Sequence, residues 1–302
     1  MSPAFRPSAD RHVQFRPVDA LVLAVLALGV VWLALRAGTV LNYHWHWSAL
    51  PRFFLRWDAA SGRWVPNLLL EGFFATLRLS VWGGAVALAA GLVGGGLRLA
   101  PALGLRLIGA TYVALIRNIP PLVFVFVVYF FLSTQIVDAL GLEAALRGLG
   151  PAARRVVTVL FGPPAQVTSF LPGVLALGLF SGAYVAEIVR GGVASVEVSQ
   201  WEAARALGLG RWATLRKVVL PQALGRMWGP LSNEFILLVK FSSLASLVSV
   251  PELTFQAYQV GITTRGMFEV WIVVAGLYFA LSAALSALFR HLEHRSRRAL
   301  EG

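Results

Sequence analysis

Apolar residues fall into six runs separated by short polar stretches: residues 20–35, 67–99, 109–136, 168–189, 222–250 and 268–289. Most match or exceed the roughly 20 residues needed to cross a hydrocarbon core as a helix. The pattern predicts an all-α integral membrane protein of about six transmembrane helices. Pro120-Pro121 must break or kink the third, because proline lacks the amide that a helical ladder needs. In the second, Ala87, Gly91 and Gly95 recur every four residues, a spacing that lets helices approach backbone to backbone. Here it reads as packing inside the bundle.

Between the runs, residues 42–66 are polar and carry Tyr43, Trp45, Trp47, Trp57 and Trp64. Amphipathic rings favour the headgroup level, so this stretch reads as an external loop on the membrane. Residues 137–167 read as a mixed loop with an amphipathic flavour. Arg6, Arg11 and Arg16 precede the first run. A cleaved signal peptide is the competing reading, but the run is long for one and no small-residue cleavage site follows it. An uncleaved first helix is expected.

Composition confirms the class. Of 302 residues, 58% are hydrophobic and 13% charged, and mean hydropathy is +0.72; soluble domains carry about 25% charged residues. The net charge of +12 would suggest nucleic acid on a soluble protein, but here the arginines collect beside the spans and report topology. With no cysteine there is no disulfide or thiolate site.

One long polar stretch, residues 198–221 (VSQWEAARALGLGRWATLRKVVLP), interrupts the apolar pattern near the fourth and fifth runs. Ser199 and Glu202 stand in the S-x-x-E relation of a capping box. About two helical turns follow before Gly208, a suitable left-handed stop. Ala203 and Ala204 leave a flank bare enough for another backbone to approach. Arg205, Arg211, Arg216 and Lys217 mark the segment as cytoplasmic. A short helix of small residues held outside a bundle reads as a docking element.

Glu202-Ala203-Ala204, Gly208 and Leu220-Pro221 resemble the coupling loop of ABC-transporter permease subunits. GAYVAEIVRGGV (182–193), SQWEAARALGLG (199–210), PLSNEFILLVKFSSLASLVSVPEL (230–253) and ATYVALIRNIPPLVFVFVVYF (110–130) extend the resemblance to the polar amino-acid uptake branch, over roughly residues 71–290. The resemblance implies a five-helix importer core within residues 67–290, a coupling loop at 191–221 and a basic tail at 291–302. Residues 1–66 would add a cytoplasmic N-terminus, the first helix and the external loop. It also implies the bacterial inner membrane with both termini cytoplasmic, a second permease subunit, ABC ATPase subunits that carry ATP and Mg, an external solute-binding protein, and translocation by alternating access. No cofactor is expected on this chain. RNIPP at 117–121, NYHWHW at 42–47 and the non-acidic Phe241 resemble glutamate/aspartate-type permeases. Family members commonly have an acidic residue at the Phe241 position, Thr at Ser242 and Gly at Ser199.

No Walker A motif is present, so this chain is not expected to hydrolyse ATP itself; if it is driven by ATP, another polypeptide must supply the phosphate-binding loop. His44 and His46 are two potential ligands without a third and read as interfacial anchors. No enzyme is expected. Charge at bilayer depth is costly and faces a cavity or a partner. Glu187 and Arg190, three apart on one helical face, form an ion pair at a helix end or line the translocation path. Asn233, Glu234, Lys240, Ser242 and Ser243 make the fifth span too polar to face lipid on every side, and are candidates for lining that path. An ion-coupled transporter or a channel working without an ATPase is the rival reading; it has no need of a capped cytoplasmic helix, and no inverted repeat supports it.

Overall fold

The computed structural model describes residues 17–40, 43, 45–139 and 141–301 and divides into two compact units, residues 1–46 and 47–302. Arg6, Arg11, Arg16, Asn42 and His44 lie outside the described residues. The first unit holds helix α1 (Pro17–Val40), the first predicted run, whose described side chains are largely exposed apolar residues such as Leu21, Val25 and Leu28.

The second unit opens with two short 3-10 turns and a hairpin, β1 (Leu55–Asp58) and β2 (Arg63–Pro66), antiparallel with Trp57 opposite Trp64. Cross-strand aromatic pairs stabilise such ribbons, and these two rings meet edge to face at 5.7 Å between centroids. Residues 55–66 of the expected loop therefore form a two-stranded sheet. Both indoles stay exposed.

Next come α2 (Leu68–Leu99), α3 (Leu103–Arg117), α4 (Pro121–Ala139), α5 (Leu142–Arg147), α6 (Pro151–Phe161) and α7 (Pro164–Ala194). They are followed by α8 (Val198–Ala206), α9 (Arg211–Thr214), a π-helical turn at Leu215–Val219, α10 (Leu220–Phe241), a 3-10 stretch at Ser242–Val248, α11 (Leu253–Thr264) and α12 (Met267–Glu301). By length and composition, four described helices can cross a membrane, and α3 with α4 makes a fifth candidate bent by 111°. The bend falls at Pro120-Pro121. Residues 137–167 are a correction: where a loop was expected, α5 and α6 form, because Gly141 adopts φ +56° before one and Pro151 opens the other.

α2 and α7 run parallel and form the centre of the bundle. Gly91 and Gly95 sit against Val185 and Val189 of α7, and Gly178 sits against Val86 of α2. A Cβ on Gly95 would stand 2.8 Å from Val189 Cβ, so only glycine admits this approach. The small-residue spacing is thus an intrachain seam with a named partner. At the N-terminal end of α2, Arg78 Nε donates to Val159 O at 3.0 Å and Trp82 Nε1 to Leu160 O at 2.9 Å. These bonds satisfy carbonyls in the last turn of α6 that have no helical partner, and Trp82 stacks on Phe161 at 5.0 Å. At the other end of the bundle α7 runs into α8.

Candidate functional site

The segment expected to dock is a helix from Val198 to Ala206, but its cap differs from the sequence expectation. Glu197 is the N-cap residue, and no side chain caps the helix. Ser199 Oγ instead donates to Glu197 Oε2 at 3.1 Å. The capping box fails because the helix starts before Ser199, so Ser199 already lies inside the first turn. Gly208 does close the segment in the left-handed region, φ +77°, and Gly208 N and Leu209 N donate back to Arg205 O and Ala204 O. Ala204 is a second correction: it is 3% exposed and faces the bundle. Trp201 packs beside it into the core of Val193, Val196 and Val219. Of the two alanines expected to form the bare flank, Ala203 alone is exposed, alongside Glu202 and Arg205.

α8 is fastened to the helices on either side. Gln222 Nε2 donates to Gln200 Oε1 at 3.3 Å, and Arg226 Nη1 donates to Ser195 O between α7 and α8. Leu220 is half-buried and Pro221 exposed at the start of α10. The π turn immediately precedes Pro221, whose missing amide interrupts the ladder there. Val198, Leu207 and Trp212 project into open space at 70%, 81% and 71% exposure, an apolar surface with no partner in this chain.

About two turns from the end of α7, Glu187 gathers three guanidinium groups. Arg98 from α2 and Arg190 from α7 are both hydrogen-bonded to it, Arg190 Nε at 3.0 Å, and Arg117 from α3 stands 3.7 Å from Oε2. Arg117 also lies over the Tyr184 ring at 5.3 Å. The i,i+3 pair read from sequence is thus the local half of a network over three helices. Arg98 and Arg117 were invisible because they are distant in the chain.

The polar residues of the fifth span divide between two faces. Asn233 and Lys240, seven apart, are exposed on one. Ser243 is half-buried and donates to Lys240 O at 2.8 Å. Ser242 is fully buried and donates to Val239 O at 2.7 Å. This is a correction to its expected place on the path, since its hydroxyl is turned into the chain and used by the helix itself. Glu234 points the other way, into a cavity of about 260 Å³ whose lining includes Gly84, Ser181, Trp228, Leu231 and Phe289. Glu234 Oε1, Ser181 Oγ and Trp228 Nε1 are all buried without a hydrogen-bond partner; Ser181 lies near the carboxylate but does not close a bond to it. Ser181 and Trp228 were missed because nothing local marks a serine or tryptophan in an apolar helix.

Comparison with known proteins identifies the family. The family described as the inner membrane component of binding-protein-dependent transport systems matches residues 87–298. The glutamine transport system permease protein GlnP of Escherichia coli is 35% identical over 83% of this chain and 97% of its own. A probable glutamine ABC transporter permease, GlnM of Bacillus subtilis, is 33% identical over 76% and 93%. The octopine permease OccQ of Rhizobium radiobacter is 30% identical over 77% and 92%. Among solved structures, an amino acid ABC transporter crystallised with histidines aligns at TM-score 0.61 and 29% identity over 76% of this chain and 94% of that one. The MetNI methionine transporter, at TM-score 0.53 and 21% identity over 74% and 95%, shares the fold. This family is driven through a separate ATPase subunit, which sets aside a transporter or channel acting alone. The chain belongs to the binding-protein-dependent inner-membrane permeases and is an amino-acid ABC importer permease of the polar amino-acid uptake type.

Proposed function

We propose that the chain pairs with a second permease subunit, a copy of itself or a related chain, and carries a polar amino acid across the inner membrane by alternating access. α8 docks on an ABC ATPase through Glu202, Ala203 and the exposed Val198, Leu207 and Trp212. Gly208, Leu220 and Pro221 shape the turn that carries it. ATP-driven closure moves α8, and with it the ends of α7 and α10 to which α8 is fastened. Both termini are cytoplasmic, and the hairpin and α6 face the external solute-binding protein.

Three unpaired polar atoms around one cavity carry the reading of the path. A buried carboxylate with no partner is costly. Glu234 is placed to receive a ligand ammonium group, with Ser181 and Trp228 as further hydrogen-bonding groups. Asn233, Lys240 and Ser243 lie on the other face of α10, where the second subunit or the path would meet them. The Glu187–Arg190 pair braces the cytoplasmic end of α7. The RNIPP stretch and Phe241 favour glutamate or aspartate, and the names of the relatives favour glutamine.

Reconstitution with the ATPase and the binding protein tests this reading. ATP-dependent uptake is expected, with glutamate, aspartate and glutamine separated by competition. Glu202→Lys is expected to leave the protein in the membrane but abolish recovery of the ATPase in a pull-down. Normal transport by that variant would sink the docking assignment.

A further inference from the structure

At the end of the bundle opposite α8, five elements enclose a polar pocket of about 300 Å³. Its lining includes Arg56 on the hairpin, Glu71, Ala75 and Arg78 on α2, Gln166 on α7 and Gln256 on α11. Glu71 and Arg78 are seven residues apart, so they share a face and stand about 10 Å apart along the helix. Ala75 between them is too small to fill the gap. Gly72 admits α11 so closely that a Cβ there would meet Gln256 Cγ at 2.9 Å, which brings Gln256 to the pocket wall.

The polar groups here are unspent. Asp58, a further acid on the wall, already accepts from Ser61 Oγ at 2.6 Å. The Glu71 carboxylate and the Gln166 and Gln256 carboxamides make no hydrogen bond among the described residues, and Arg78 uses only Nε, leaving both Nη groups free. Gln256 is 7% exposed as a residue, and its carboxamide has the pocket as its opening to solvent. One free carboxylate, a free guanidinium edge two turns away and two carboxamides between helices form a dipolar receptor. Guanidinium pairs a carboxylate well, while Glu71 accepts from an ammonium.

We propose that this pocket is a second amino-acid site, distinct from the Glu234 cavity, which receives the zwitterion at the outer mouth with its ammonium on Glu71 and its carboxylate on Arg78. Arg56 supports the carboxylate, and the carboxamides of Gln166 and Gln256 accept or donate to a polar side chain. The assignment rests on the amino-acid importer reading and adds a waiting position between the solute-binding protein and the membrane path.

Saturation-transfer NMR titration of glutamine and glutamate on the full-length protein in nanodiscs tests it. In a Glu234→Gln background, amino-acid binding is expected to persist, and Glu71→Gln or Ala75→Leu is expected to weaken it about tenfold or more. N-acetylglutamine and glutamine methyl ester, each lacking one charge, should compete about tenfold less well. Glu71→Gln is exposed and isosteric, so it tests the site even if Ala75→Leu does not fold. The proposal fails if Glu234→Gln removes all binding, if Glu71→Gln leaves the residual binding unchanged, or if acetate competes as well as the amino acid. In each of those cases amino-acid uptake by the reconstituted importer would still stand. Absence of uptake as well would overturn the importer reading itself.

Discussion

Glu187 and Glu234 both lie within the bundle, on neighbouring helices, and their surroundings are opposite. Glu187 meets guanidinium groups from three helices. Glu234 meets none, and one of its oxygens has no partner. A carboxylate inside a membrane protein is tolerated when paired or when it faces a cavity; each acid takes one of these solutions. The paired acid ties α2, α3 and α7 together at one level. The unpaired acid ties nothing, and the proposed function assigns it to a visiting charge. The two acids differ in burial as well as in partners: the Glu187 side chain is 28% exposed and Glu234 is 7% exposed.

The contrast can be broken most directly at Glu187. Glu187→Gln leaves three guanidinium groups around a neutral amide and is expected to destabilise the folded protein by about 1–2 kcal/mol, between the values for exposed and buried pairs, read as a lowered unfolding temperature in detergent. Normal stability with lost uptake would make Glu187 a substrate group and erase the distinction. Glu234→Gln should do the reverse. Uptake is expected to fall about tenfold or more, while stability holds or rises by about 1 kcal/mol because an uncompensated buried charge is gone. Unfolding of that variant would mean that Glu234 is structural. The smallest effect is expected for Arg117→Gln. Its contact is 3.7 Å long and its side chain 44% exposed, so less than about 1 kcal/mol should be lost. A larger loss would promote Arg117 to a full member of the brace.

How much of this was legible depended on whether a signal was local. The docking segment stood out because arginines and alanines interrupt an apolar pattern, and Gly208 marked its end. Pro120-Pro121 announced the sharp bend. Local rules also misled. Ser199 and Glu202 have the spacing of a capping box, yet the helix starts earlier and Ser199 turns to Glu197. Residues 151–161 read as loop, yet they form a helix whose final carbonyls, Val159 O and Leu160 O, are satisfied by Arg78 and Trp82 far upstream. The same limit hid the isolation of Glu234. Seeing it requires knowing that α7 delivers Ser181, rather than an arginine, to that level of α10.

The seam between α2 and α7 has a mechanical consequence. Its contact positions at Gly91, Gly95 and Gly178 carry no side chain that could change rotamer, and the valines facing them are β-branched and stiff at χ1. A joint without adjustable parts cannot absorb displacement by repacking. A push delivered at the α8 end of α7 should therefore travel along both helices as along a single beam. Compliance is left to the bend at Pro120-Pro121, the π turn before Pro221 and the 3-10 stretch after Phe241. The importer is stiff along its glycines and yields where its helices are irregular.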